Sequence, residues 1–220
     1  MNRMLSLILV AAGLAGLALA TFAMTVEAES VAVTRRAYVT DVIRAPVPPK
    51  PTPIPPPPPY AGPISSIYLG SANILGQEAL VEGDTHYVGE RELLQDPFHP
   101  LDVMWYPRFG RPGWGGGNTI FAAHVNYIGY GNGPFAYLTA ARPGDALYLT
   151  MGDGSTLTYI VRSVDIVSLV DLNMNDVVYP PLDGATERVT LISCGGTFIP
   201  AAVGGEYDSR VILVAERTVP

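Results

Sequence analysis

Residues 146–161 read ALYLTMGDGSTLTYIV, and this stretch decides the fold class. Two runs of apolar, β-branched and aromatic residues, 146–151 and 156–161, flank Gly152-Asp153-Gly154. Such residues favour strands, and an Asp-Gly turn between two of these runs is a strong signal for a β-hairpin. We therefore predict an antiparallel pair of strands here.

Three further short apolar runs extend this pattern along the chain, at 119–123, 188–193 and 210–215. Turn residues such as Gly, Pro, Asn and Asp separate them, and one short helical stretch is predicted at 135–138. Many short strands divided by turn signals predict an all-β domain, either a sandwich or a closed barrel. The spacing of the runs does not choose between these two architectures.

The N-terminal segment predicts a membrane anchor. Residues 4–24 are predominantly apolar and uncharged, which is about the length of a helix that spans a bilayer. Arg3 precedes this run, while Glu27 and Glu29 follow it, so we expect a cytoplasmic N-terminus and an extracytoplasmic domain. Residues 1–25 are thus predicted as a single-pass signal anchor in the cell membrane. The alternative is a cleaved signal peptide, because residues 18–20 read Ala-Leu-Ala.

A proline-rich segment follows the anchor. Residues 46–59 are dominated by proline and end in five consecutive prolines. Proline has a fixed φ and no amide donor, so this segment is neither a helix nor an inner strand. A polyproline II rod of about 40 Å is expected instead. We predict an extracytoplasmic spacer over residues 26–60 and a globular domain over 61–220, with a ligand for a proline-binding module as the alternative for the spacer.

Charge and motif content narrow the function. The chain carries 13 Lys and Arg against 20 Asp and Glu, a net charge of −7, and has no basic cluster for nucleic acid. Metal ligands are not grouped at the usual spacings, and the phosphate-binding and serine-hydrolase motifs do not occur. We therefore predict no nucleic-acid partner, no cofactor and no metal, although a calcium site built from dispersed carboxylates stays open.

Cys194 is the only cysteine, so no disulfide can form within the chain. An unpaired thiol in an exported domain requires an explanation. Cys194 lies at the end of the predicted strand 188–193 and precedes Gly195-Gly196, a place where a rigid strand meets an accessible loop. The two readings are a reactive nucleophile and a small buried apolar residue. A nucleophile would need a nearby base, because an ordinary thiol is mostly protonated at neutral pH.

Three histidines could supply that base. His86 falls in a polar segment read as a surface loop, and His99 falls in a turn-like stretch. His124 ends the apolar strand 119–123, which is the arrangement that a Cys–His pair needs; the alternative is a hydrogen-bonded core or turn histidine.

An arginine could complete such a site. Arg210 begins the last predicted strand and could stabilise an oxyanion. Arg188 and Arg217 also lie near strand ends, so position alone does not single out Arg210.

Three segments resemble the sortase family of cysteine transpeptidases. Residues 190–196, TLISCGG, resemble the T-L-x-T-C signature that carries the nucleophile. Residues 123–126, AHVN, resemble the histidine segment written G-H-x-D in the class E and F branches. Residues 207–215, YDSRVILVA, resemble the terminal strand that carries the arginine. The resemblance covers about residues 64–217, and His, Cys and Arg occur in the family's order.

The chain departs from the family pattern at three positions. Ser193 replaces the usual Thr, which retains the hydroxyl and removes a methyl group. Asn126 replaces a common Asp and removes a charge near His124, and Ala123 adds a methyl group where Gly is usual.

The resemblance implies an eight-stranded β-barrel and a transpeptidase. Cys194 would attack the Thr–Gly bond of an LPxTG- or LAxTG-like motif, with His124 as acid and base, Arg210 at the oxyanion, and Thr190 and Ser193 binding substrate. The implied partners are surface proteins that bear this sorting motif and an amine acceptor on a cell-wall precursor or a protein. A hydrolase of the same fold and a non-catalytic cell-surface module are the alternatives.

Overall fold

The computed structural model describes residues 59–202 and 204–218. The predicted anchor and nearly all of the predicted spacer lie outside these residues. In the described part no helix is long and apolar enough to cross a bilayer. The strands are, in chain order, β1 (Ile64–Leu69), β2 (Ile74–Leu75), β3 (Ala79–Glu82), β4 (Thr85–Val88), β5 (Arg91–Leu94), β6 (Asp102–Tyr106), β7 (Asn118–Ala122), β8 (Asn126–Tyr127), β9 (Gly131–Asn132), β10 (Ala146–Met151), β11 (Thr156–Ser168), β12 (Thr186–Pro200) and β13 (Gly205–Thr218).

One curled sheet contains nine of these strands, in the order β2-β1-β10-β11-β13-β12-β7-β6-β3. An eight-stranded barrel was expected; among the described residues the sheet has nine strands, and its end strands β2 and β3 are not paired with each other. β4–β5 and β8–β9 form two separate hairpins. One short helix, α1 (Met174–Val178), lies between β11 and β12, and the helical stretch expected at 135–138 is a single 3-10 turn at Leu138–Ala140. The all-β prediction is confirmed.

The hairpin predicted from residues 146–161 is present as β10 and β11. Leu147 pairs with Tyr159 and Leu149 with Leu157 across the antiparallel ladder. Leu147 and Leu149 are fully buried, while Tyr148 between them faces outward, as the two-residue period of a strand requires. Gly154 adopts a φ of 85° in the turn, a conformation that glycine reaches without strain.

The central strands β7, β12 and β13 are covered on both faces, which explains why their sequences are apolar without alternation. Leu191 and Leu213 face the main core, together with Phe121 of β7. Ile192 and Ile212 face a second, smaller apolar cluster that α1 covers through Val178. This second cluster lies beneath the cavity described below.

Three local predictions about strand position are wrong. Cys194 and Arg210 were placed at strand ends, yet both lie inside long strands, because β12 and β13 continue to pair beyond a bulge between Gly195 and Phe198. Gly196, with a φ of 79°, permits that bulge. His86 was read as part of a loop, but it lies in β4, which pairs with β5.

A buried carboxylate, Glu187, fixes the start of β12. Its side chain is fully buried and accepts hydrogen bonds from the backbone amides of Gly113 (2.6 Å) and Gly115 (3.3 Å) and from the Tyr159 hydroxyl. Arg217 of β13 completes the set with an ion pair of 2.9 Å. Every charge here is compensated, which a carboxylate away from water requires.

We expect Glu187→Ala to lower the free energy of unfolding by about 3–5 kcal/mol, because it leaves Arg217 and two loop amides without their partner. Urea denaturation followed by circular dichroism measures the change. Glu216→Ala is the matched control: it removes the shared partner of Arg162 and Arg188, all three of which reach solvent, and should cost about 1 kcal/mol. Equal losses for the two variants would contradict the role given to Glu187.

Candidate active site

The parallel pairing of β7 with β12 sets His124 and Cys194 at the same level. Ile192 is opposite Ala122, and the Ala123 amide donates to the Ile192 carbonyl at 3.2 Å. Each chain then advances two residues, to His124 on one side and to Cys194 on the other. Parallel strands keep their register, so the imidazole and the thiol come from adjacent positions at the same edge of the sheet.

Ser193 fastens these two segments together. Its hydroxyl is buried and donates to the Ala123 carbonyl at 3.0 Å. This bond joins the residue before the thiol to the residue before the imidazole. The hydroxyl that Ser shares with the Thr usual in the resembled signature is thus used in a hydrogen bond here.

Arg210 is directly opposite Cys194 in the antiparallel ladder of β12 and β13. Its guanidinium donates to the Tyr207 and Ser209 carbonyls at 3.3 and 3.0 Å and pairs with Glu206 at 3.1 Å. A guanidinium carries five N–H donors. Among the described residues these bonds use three of them, which leaves Nε–H and one Nη2–H for a substrate oxygen.

One cavity of about 510 Å³ contains His124, Cys194 and Arg210, and Ser193 also lines it. Its floor is apolar and includes Tyr106, Ile192 and Val178. Two walls rise from this floor. The first is the β4–β5 hairpin with residues 95–97, and the second is the segment 169–179 that includes α1.

The structure does not bring Thr190 to this cavity. Thr190 is buried, and its hydroxyl donates to the Asn118 side chain at 2.8 Å. The amide group of Asn118 in turn donates to the Val177 and Val178 carbonyls of α1, at 2.8 and 3.3 Å. Thr190 therefore supports the α1 wall from below.

Burial raises the pKa of the Cys194 thiol. The positive charge of Arg210 opposes that rise, whereas the negative charges of Asp96 and Glu206 add to it. A raised pKa favours the protonated thiol, so a base must remove its proton when it reacts. His124 is the imidazole that the strand register delivers to that task.

The backbone and ring of His124 are held by close contacts. Its carbonyl accepts from the Phe135 amide at 3.2 Å, and a Cβ on Gly133 would lie 2.2 Å from that carbonyl oxygen, so only glycine fits there. The Tyr127 ring contacts the imidazole edge-on at 5.2 Å between centroids. Asn126, which replaces a common Asp, donates to the Tyr207 hydroxyl at 2.7 Å and so ties this segment to β13.

Sequence reasoning missed the charged residues on the cavity walls. His86, Glu92, Asp96 and Glu206 all line the cavity. The β4–β5 hairpin was readable from Gly89-Glu90 between two short alternating runs, but nothing local predicted that it would lie against Cys194. The described residues contain no group of three or more His, Cys, Asp or Glu placed to hold a metal ion.

We expect the alkylation of Cys194 by iodoacetamide to rise with pH around a midpoint above that of an ordinary thiol. Arg210→Gln should move this midpoint still higher, because it removes a charge that stabilises the thiolate. Mass spectrometry of the alkylated chain at a series of pH values gives the midpoint. Arg188→Gln, a change outside the cavity, should leave it in place, and a midpoint at or below the ordinary thiol range would refute the expectation.

This chain is similar to proteins of known fold and family. Several solved structures are similar to this chain. Sortase A from Corynebacterium diphtheriae, lid mutant, is 21% identical, with a TM-score of 0.46 over 71% of this chain and 70% of that chain. SrtA sortase from Actinomyces oris is 20% identical, with a TM-score of 0.49 over 71% of this chain and 80% of that chain. A search of curated proteins gives no match. The family model described as Sortase domain matches residues 77–218, well over half of the chain. The chain therefore belongs to the sortase family, whose members are cysteine transpeptidases.

Proposed function

We propose that this enzyme cleaves an LPxTG- or LAxTG-like sorting motif between Thr and Gly and transfers the acyl group to an amine of a cell-wall precursor or a protein. The observation that carries the proposal is the convergence of Cys194, His124 and Arg210 on one cavity. The AHVN segment at 123–126 supports a place near the class E and F branches of the family.

The first half-reaction forms a thioester. Sγ of Cys194 attacks the carbonyl carbon of the Thr residue while its proton passes to His124. His124 then donates that proton to the nitrogen of Gly as the C–N bond breaks. The new S–C bond retains the N-terminal part of the substrate, and the C-terminal part leaves as a free amine.

The second half-reaction releases the product. An incoming amine attacks the thioester carbonyl and loses a proton to His124. The S–C bond breaks, and His124 returns the proton to Sγ, so the enzyme ends as it began. Two moderate barriers replace the single high barrier of direct amide exchange.

Arg210 stabilises the oxyanion of both tetrahedral intermediates. Arg210 is paired with Cys194 across the ladder and has two spare N–H donors. A charged donor stabilises an oxyanion more strongly in a partly buried cavity than in water. Glu206 and two carbonyls hold the guanidinium in place before substrate arrives. This preorganisation avoids the cost of orienting the side chain during the reaction.

The enzyme acts outside the cytoplasm, tethered to the cell membrane by a single span. The apolar segment 4–24 and the charges around it support the tether, and the prolines of 46–59 support a spacer between bilayer and domain. Acidic composition favours surface-protein and amine partners over nucleic acid.

We expect the full-length chain to form a covalent adduct with a sorting-motif peptide on Cys194, and to yield an amine-capped product when triglycine or a diaminopimelate-type amine is present. Intact-mass spectrometry detects the adduct and the products. Cys194→Ala, which cannot form the S–C bond, is the control. If the free acid is the sole product, the enzyme is a hydrolase and not a transferase. If no adduct forms, the chain is a non-catalytic module.

We expect Arg210→Ala to lower kcat/KM by about 100- to 1,000-fold, as loss of an oxyanion donor does elsewhere, without unfolding the sheet. Peptide cleavage rates measure the loss, and circular dichroism reports the fold. Arg210→Lys should recover only part of the rate, because a single ammonium cannot reproduce the fork of donors. Near-normal turnover in Arg210→Ala would remove this residue from the site.

A further inference from the structure

The reactive cavity carries more negative than positive charge. Glu92, Asp96 and Glu206 line it against a single cation, Arg210. Glu92 pairs with Arg108, and Glu206 pairs with Arg210. Asp96 differs from both, because among residues 59–202 and 204–218 its carboxylate has neither an ion pair nor a side-chain hydrogen bond.

The backbone around Asp96 is held firmly over the cavity. The amide of Gln95 donates to the Asp84 carbonyl at 3.0 Å, its side-chain oxygen accepts from the Asp84 amide at 3.0 Å, and its carbonyl accepts from the Tyr106 hydroxyl. Pro97 follows directly and has a fixed φ. Asp96 is thus a solvent-facing carboxylate on a rigid segment at the mouth of the cavity.

Two groups on the cavity floor respond to the Asp96 charge. It adds to the rise in the pKa of the Cys194 thiol and to the rise in the pKa of the Tyr106 hydroxyl, both of which burial mainly causes. Asp96 and Cys194 line the same cavity, so the carboxylate borders the space in which the thioester would form. The negative charge of Asp96 also makes the thiolate less stable.

We propose that Asp96 is a specificity-determining residue that binds the incoming amine in its ammonium form and places it beside the thioester. The proposal rests on the transpeptidase function proposed above. In that cycle the acyl donor needs an oxyanion partner and an apolar floor, which Arg210 and the floor residues supply. The amine is the reactant that arrives positively charged at neutral pH, and the unpaired carboxylate complements it.

Asp96 attracts and orients the ammonium and takes no part in the transfer of its proton. The ammonium releases one proton to solvent water before it attacks the thioester, and His124 accepts the second proton when the N–C bond forms. An exposed carboxylate attracts a cation modestly, so its effect falls on the concentration of acceptor needed. Water and uncharged nucleophiles should gain nothing from it.

The test measures how the acyl-enzyme partitions between nucleophiles. The full-length chain is incubated with a sorting-motif peptide and increasing triglycine at pH 7, and in a parallel series with hydroxylamine, which is largely uncharged at that pH. The Asp96→Asn variant should need about three- to tenfold more triglycine for half-maximal transfer, with the hydroxylamine series unchanged. Asp96→Glu should restore most of the preference for triglycine.

Glu90→Gln is the matched control. Glu90 lies at the turn of the same β4–β5 hairpin, outside the cavity, so the change removes one negative charge at a distance. The acyl-enzyme of Glu90→Gln should divide between triglycine and hydroxylamine as that of the unmodified chain does. In addition, the triglycine preference of the unmodified chain should weaken as salt increases, and that of Asp96→Asn should not.

Three results would overturn the proposal. Equal changes for triglycine and hydroxylamine in Asp96→Asn would mean a general effect on Cys194 or His124. If Glu90→Gln raises the triglycine requirement as much as Asp96→Asn does, the cause is the net charge of the domain and not a contact with Asp96. An altered rate of adduct formation that depends on the charge of the sorting peptide would assign Asp96 to the acyl donor instead. Failure to form any adduct is a separate result, since it rejects the transpeptidase function itself.

Discussion

The parallel register between β7 and β12 is the constraint on which the site depends. A single ladder places Ala122 beside Ile192, and two residues later it delivers an imidazole and a thiol from segments far apart in sequence. The Ser193 hydroxyl locks that register where the ladder ends. Because a slip by one residue would turn every side chain to the opposite face, the pair exists only in this alignment.

β12 also contains the residues whose contacts shape the cavity. β12 holds Glu187 near its start, Thr190 in the middle and Cys194 beyond. Glu187 fixes the glycine-rich loop, Thr190 supports α1 through Asn118, and Cys194 lines the cavity as the proposed nucleophile. Stability, cavity shape and chemistry are therefore built on consecutive parts of one element, with a glycine bulge immediately after the nucleophile so that the strand can bend away.

Local patterns in the sequence were enough for the fold class, and the family resemblance pointed to Cys194 and His124, which the structure places on one cavity. The Asp-Gly turn at 152–154 predicted the hairpin, and the lone Cys194 and strand-ending His124 predicted the chemistry. Long-range packing decided where the strands end and which way Thr190 points. β12 and β13 continue past Cys194 and Arg210 because their pairing resumes after a bulge. Thr190 points into the protein because β12 is covered on both faces. Asp96 is held at the cavity by the bonds of its neighbour Gln95 to Asp84 and Tyr106, which no local signal predicts.

The half-buried state of the Cys194 thiol has a consequence for the lifetime of the protein. Oxidants such as peroxide react with thiolates far faster than with thiols. A raised pKa favours the protonated thiol, which is the form that reacts slowly with peroxide. Burial thus makes the sulfur of Cys194 a poorer target for oxidation to sulfenic acid between substrates.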